Sequence, residues 1–168
     1  AARPWLFSLP AEDAHRLGLR ALRAAQRLPG GVGLALLNRL FATRDPRLGV
    51  EAFGLRFPNP VGLAAGLDKD AEAPAAFAAL GFGMVEIGTV TPKPQPGNPK
   101  PRMFRLPEDD GLINRMGFPS GGATVARNHL WPWRHGLPGG AGLGINLGKN
   151  AGTPVEEAAT DRKSTRLN

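Results

Sequence analysis

Apolar and polar positions near the start of the chain recur at helical spacing. Leu17, Ala21, Ala24 and Leu28 fall on one face, and Arg16, Arg20, Arg23 and Arg27 on the face beside it. Pro10, the acidic first-turn pair Glu12 and Asp13, and the stop at Pro29-Gly30-Gly31 predict a helix over residues 10–28. A second helix is predicted over 32–42, with Leu36, Leu37, Leu40 and Phe41 as its apolar positions. The pattern favours a solvated Arg face above a core-facing stripe. The other reading is a basic, amphipathic helix pair lying in an anionic membrane surface.

From residue 50 the rhythm shortens. Val50–Phe57 reads as a hairpin broken at Gly54, Val61–Ala65 as a buried strand, Ala71–Leu80 as a helix and Met84–Ile87 as a second strand. Six prolines between Pro92 and Pro107 predict an extended loop. Gly121–Leu130 reads as a helix, Trp131–Gly140 as a connector and Gly142–Leu147 as a third strand. Thr153, Pro154 and Glu156 have the spacing of an N-cap, a first-turn proline and a capping-box acid, which opens one more helix. Strands alternating with helices predict an α/β fold with parallel strands.

Composition narrows the function classes. The 168 residues suit one domain, and the 23 Gly and 17 Pro sit beside short apolar runs, as turns do. With no Cys, this chain offers no disulfide, thiolate metal site or Cys nucleophile, and three His leave little for a His-based metal cluster. The net charge of +7 is uneven: residues 1–47 carry +5, residues 48–161 carry −1, and the last seven carry +3. A nucleic-acid reader would hold its basic patch on the reading domain, so no nucleic-acid partner is expected. No apolar run reaches the length of a spanning helix.

In parallel α/β folds, ligands sit at the carboxyl ends of the strands. After the first strand comes AAGLDKD, residues 64–70, where Ala64, Ala65 and Gly66 would let a flat ring or phosphate approach the backbone. Lys69 there is a cation suited to a carboxylate or anionic ring, or else a surface lysine after a tight turn. The second tip, EIGTVTP, offers Thr89 and Thr91, and a Thr that satisfies its own turn is the plainer reading. GLINRMGFPS, residues 111–120, places Asn114 and Arg115 beside Met116, Gly117 and Phe118, which suits a planar heterocycle bearing a carboxylate. The third tip carries Asn146, Lys149 and Asn150, and an asparagine can match an amide-like edge. Gly142, Gly144 and Gly148 do not make a dinucleotide fingerprint, and the Glu108-Asp109-Asp110 triplet reads as solvated.

Taken in order, FPNPVGLAAGLDKD (57–70), GFGMVEIGTVTPKPQPGNPKPRMFRLPED (81–109), GLINRMGF (111–118), GINLGKN (144–150) and TPVEEA (153–158) resemble the quinone-linked, class 2 dihydroorotate dehydrogenases. LPAEDAHRLGLRAL (9–22) is similar to that family's helical extension at the quinone entrance. The resemblance implies that residues 48–161 are the first part of a (β/α)8 barrel, an α/β fold, preceded by a membrane-associating extension over 1–47. It implies FMN as cofactor, dihydroorotate and orotate as substrate and product, and a membrane quinone as final electron acceptor. It also implies a peripheral location on the cytoplasmic side of the inner membrane and a role in UMP biosynthesis. By position, Ala65, Gly66, Leu67, Asp68, Lys69, Thr89 and Asn146 would face the flavin. Lys69, Asn114, Arg115, Met116, Gly117 and Phe118 would face the substrate.

Two departures accompany the resemblance. The family's catalytic serine, later asparagines, second flavin lysine and phosphate-binding loops fall past residue 168, so the chain is expected to fold poorly, lack FMN and be inactive alone. Residues 162–168, RKSTRLN, break the pattern and read as a non-native tail. The competing readings are a soluble class 1 dihydroorotate dehydrogenase, another FMN barrel, or a non-enzymatic basic membrane-binding module.

Overall fold

The structure is a computed structural model and describes residues 3–43 and 45–163. Three helices come first: α1 (Arg3–Phe7), α2 (Ala11–Gln26) and α3 (Val32–Phe41). The crossing of α2 and α3 is close because position 33 has no side chain. A Cβ at Gly33 would lie 2.0 Å from the Ala25 carbonyl oxygen. α2 does not dock by the predicted stripe: Leu17, Ala21, Ala24 and Leu28 are exposed. The inward face is Glu12, His15, Leu19, Leu22, Arg23 and Gln26, with Leu19 buried. Polar bonds decide the rotation. Arg23 pairs with Glu72 at 3.0 Å, and the Gln26 amide donates to the Glu72 carbonyl at 2.8 Å. The outward Leu17 and Leu28 join exposed Trp5, Val32, Leu36, Leu40 and Phe41 on the other two helices.

Next comes the antiparallel hairpin of β1 (Val50–Ala52) and β2 (Leu55–Phe57), turning through Phe53 and Gly54. β3 (Gly62–Leu63), β4 (Met84–Val90) and β7 (Gly142–Leu147) form a parallel sheet in the order β3-β4-β7. β3 is shorter than predicted and not buried, since it pairs only with β4 and Val61 is 58% exposed. α4 (Pro74–Ala79) starts later than predicted. Residues 68–73 form a turn instead, in which the buried Asp68 carboxylate accepts from the Glu72 and Ala73 amides at 2.7 and 2.9 Å.

The core is alanine-rich. Ala75, Ala76, Phe77 and Ala78 of α4 pack on Val85, Ile87 and Val90 of β4, with Ala126 and Leu130 from α5 (Ala123–Leu130). Small side chains bring the helix close to the sheet, and fully burying each larger apolar residue contributes roughly 1.5–3 kcal/mol.

Two further expectations need correcting. The Pro-rich loop ends early: β5 (Met103–Leu106) and β6 (Gly111–Asn114) form an antiparallel hairpin, because no proline interrupts residues 102–106 and the chain can pair. The Thr153–Glu156 capping box does not form. Residues Val155–Glu157 make a 3-10 turn before α6 (Ala158–Lys163), with Pro154 at the cap and no side-chain cap bond. The Thr153 carbonyl instead accepts from Lys149 at 2.8 Å. Arg162 and Lys163 continue α6, and the rest of the anticipated tail lies outside the described residues.

Candidate functional site

The segments that follow β3, β4 and β6 converge beneath α2 around a cavity of about 700 Å³. Ala65, Gly66, Leu67 and Lys69 come from the turn after β3, and Thr89 from the end of β4. Asn114, Arg115, Met116, Gly117 and Phe118 form the opposite wall. Among the predicted site residues, Asp68 and Asn146 do not line it. Asp68 is fully buried in its turn, and burial raises its carboxyl above the ordinary range. Asn146 stands behind Thr89, whose hydroxyl donates to its side-chain oxygen at 2.7 Å.

The floor is open where the chain is smallest. A Cβ built at Gly66, whose φ is +110°, would meet nothing within 4 Å. Behind that floor the Gly66 amide donates to the Gly88 carbonyl at 2.8 Å, and the Gly88 amide to the Asp68 carbonyl at 3.0 Å. These two bonds lock the β3 turn to β4.

The lining is cationic. Lys69, Arg105 and Arg115 face the cavity beside His15, whose cationic form burial disfavours, and no Asp or Glu does among the described residues. Their hydrogen bonds go to neutral carbonyls, and the carboxylates that act on Lys69, Glu12 foremost, stand outside the lining. Lys69 donates to the Gly66 carbonyl, and Arg115 to Pro101 at 3.1 Å. Arg105 donates to Leu9 at 2.6 Å and stacks over the Phe7 ring at 4.6 Å, joining the hairpin to α1. Burial is the main cause that lowers the Lys69 ammonium below 10.5, and nearby Arg102 adds to it. Burial likewise lowers His15 below 6.5, while its 2.6 Å bond to the Leu67 carbonyl opposes that.

α2 is fastened over this cavity by an ion pair. Arg102, with its side chain 9% exposed, forks onto the Glu12 carboxylate at 3.2 and 2.8 Å, and Lys100 adds a contact at 3.3 Å. The Arg102 hydrogen bonds hold the Glu12 carboxyl down at about 2.

A family model described as dihydroorotate dehydrogenase matches residues 47–165. The chain belongs to the dihydroorotate dehydrogenase family. Its three parallel strands are accordingly part of that family's α/β barrel. A protein named dihydroorotate dehydrogenase (quinone) from Acidithiobacillus ferrooxidans is 55% identical over 160 residues, covering 95% of this chain and 42% of that protein. One of the same name from Thermus thermophilus is 56% identical over 158 residues, covering 94% and 44%. A crystal structure of Eimeria tenella DHODH in complex with ferulenol superposes with a TM-score of 0.73 at 44% identity, covering 89% of this chain and 38% of that one. A ligand-free form from the same organism gives 0.67, also at 44% identity, covering 81% and 40%. The chain thus spans less than half the length of the relatives it matches.

Sequence reasoning missed Ala11, His15, Asn98, Met103, Arg105 and Leu112 in the lining. Met103 and Arg105 escape because the proline-dense window Pro92–Pro107 predicts a loop. The alternation from Met103 to Leu106 ahead of Gly111 was the available signal. His15 falls at i, i+4 from Ala11 on the inward face of α2, which the Leu17 stripe obscured. A second cavity of about 630 Å³, lined by Pro58, Asn59, Gly81, Phe82 and Pro138, lies before the strands begin. That end of a barrel serves stability rather than chemistry.

Proposed function

We propose that this chain forms part of a quinone-dependent dihydroorotate dehydrogenase. The reaction oxidises dihydroorotate to orotate in UMP biosynthesis, with FMN as hydride acceptor and a quinone as final electron acceptor. The observation that carries the reading is the acid-free, cationic cavity at the strand tips, walled on one side by small residues and on the other by Asn114–Phe118. Its volume falls within the roughly 300–1,000 Å³ range of cofactor and ligand sites.

The residues present fit a flat, anionic cofactor. Ala65 and the open floor at Gly66 admit a planar ring, and Thr89 with Asn146 behind it presents polar edges at the β4 and β7 tips. FMN, when bound, supplies the redox chemistry. Lys69 would hold an anionic substrate against it and stabilise developing negative charge, and the Asn114 amide would match the pyrimidine edge. The reading assigns the substrate's proton acceptor to no residue of this chain. His15, Ala11, Arg105 and Leu112 would frame the quinone entrance between α2 and the β5–β6 hairpin.

The exposed apolar surface of α1–α3 supports peripheral attachment of residues 1–47 to the cytoplasmic side of the inner membrane. No described helix is long and apolar enough to cross it. Flotation with anionic vesicles should carry the chain upward and weaken with salt.

The decisive experiment joins residues 1–161 to the remaining portion of the Thermus thermophilus relative. The chimaera should retain flavin absorbance and reduce a quinone analogue only when dihydroorotate is supplied. A folded chimaera without flavin would overturn the proposal.

A further inference from the structure

We infer that Gln95 is a positioning residue that sets the shape of the substrate-facing wall and ties it to the tip of β7. This rests on the reading that the Asn114–Phe118 wall faces a pyrimidine carboxylate. The wall is strained where it turns: Gly117 and Phe118 lie at φ +69° and +51°, the left-handed region, and for a bulky residue such as Phe118 that conformation persists only when its surroundings impose it. Backbone pairing fixes the two ends of the segment. The Asn98 amide donates to the Met116 carbonyl at 2.9 Å, and Gln95 and Ser120 exchange backbone bonds at 2.9 and 3.0 Å.

Between those ends, the carbonyls of Gly117 and Phe118 are taken up by one side chain. The Gln95 amide nitrogen donates to Phe118 at 2.9 Å and to Gly117 at 3.4 Å. Its oxygen faces the other way and accepts from the Asn150 side chain at 3.0 Å and the Ala151 amide at 2.9 Å. Asn150 in turn donates to the Lys93 carbonyl at 2.8 Å and accepts from the Lys93 amide at 3.0 Å. Both ends of the Gln95 amide are therefore used. One planar group joins the loop after β4, the wall after β6 and the loop after β7, and only an amide of this length offers donors on one side and an acceptor on the other.

The test measures amide hydrogen exchange in residues 115–121 of the chimaera described above, with titrations of FMN and orotate. Gln95→Met should speed exchange in that segment and weaken orotate by about tenfold, while FMN affinity holds. Gln95→Glu keeps the shape but sets a carboxylate against two carbonyls. Its exchange relative to wild type at the same pH should be fast near neutrality and return toward the wild-type rate as the carboxyl protonates and regains a donor. The exposed control Lys93→Ala should match wild type throughout. Wild-type exchange and orotate affinity in Gln95→Met, or a ratio of Gln95→Glu to wild-type exchange that does not change with pH, overturns the inference. If the chimaera with Gln95 intact takes neither FMN nor orotate, the functional reading fails, and the exchange data still decide the role of Gln95.

Discussion

Thr89 and Asn146 meet across neighbouring strand tips, the hydroxyl donating to the amide oxygen at 2.7 Å. The contact turns that oxygen toward Thr89 and fixes the orientation of the amide. Thr89→Val keeps the shape and removes the donor, so the amide is free to turn. FMN affinity is expected to fall about fivefold to tenfold, roughly 1 kcal/mol, with Thr89→Ser close to wild type. Quenching of FMN fluorescence during titration measures it. Equal affinity in Thr89→Val and wild type would show that this contact does not shape the flavin site.

The Glu12–Arg102 pair makes docking of the helical extension depend on pH. The Glu12 carboxyl sits at about 2 in the folded chain against an ordinary value of 4.5. Its folded value is depressed, so its stabilising contribution is complete above about 4.5 and disappears as pH falls toward 2. Glu12→Gln should flatten the stability profile across that window. It should also cost about 3 kcal/mol near neutral pH, because Arg102 is left buried without a counter-charge. Denaturant titrations at several pH values supply both quantities. An unchanged acid limb in Glu12→Gln would assign the loss to other carboxylates.

Legibility in the sequence followed how local each determinant was. β7 and α3 were readable because glycines bound each apolar run, Gly139-Gly140 and Gly148 around β7 and Gly30-Gly31 before α3, although Leu143, Ile145, Leu36 and Leu40 are exposed. The β1–β2 turn was readable from Gly54. The β5–β6 hairpin was not, because six prolines dominate a window whose last residues are free to pair. The rotation of α2 was invisible for a different reason. Its Leu stripe is apolar, yet the docking face is chosen by Glu12, Arg23 and Gln26, whose partners Arg102 and Glu72 are distant in sequence. The cavity wall was legible residue by residue, but its link through Gln95 to Asn150 needs the three-dimensional arrangement of three loops.

Gly33 tests the helix crossing. A methyl group there would sit 2.0 Å from the Ala25 carbonyl oxygen and 2.8 Å from its carbon, so α2 and α3 must separate. Gly33→Ala gains helix propensity yet is expected to lose about 1–3 kcal/mol through overpacking. That corresponds to roughly 2–4 °C in Tm per kcal/mol for a chain of this size. Thermal melts of Gly33→Ala beside Gly18→Ala make the comparison, since position 18 has open space around it. Equal melting temperatures would mean that the crossing tolerates a wider spacing.

Lys69 gives the pH dependence of the site its sign. Burial holds its folded value below 10.5, so unfolded chain binds more protons between the two values and stability rises with pH across that interval. Orotate binding runs the other way. The carboxylate ligand favours the ammonium form, and its affinity should fall as pH climbs through the lowered Lys69 value. Lys69→Met should remove that alkaline limb and weaken orotate about tenfold to hundredfold at neutral pH, equivalent to roughly 1.5–3 kcal/mol for a bond to a charged group. Lys69→Arg preserves the charge but not the compact ammonium, and a planar fork cannot reach the Gly66 carbonyl and the ligand in the same way. It should therefore remove the alkaline limb while recovering only part of the affinity. Isothermal titration with orotate from pH 6 to 10 separates the three proteins. A limb that survives in Lys69→Met would move the titrating group elsewhere in the cavity.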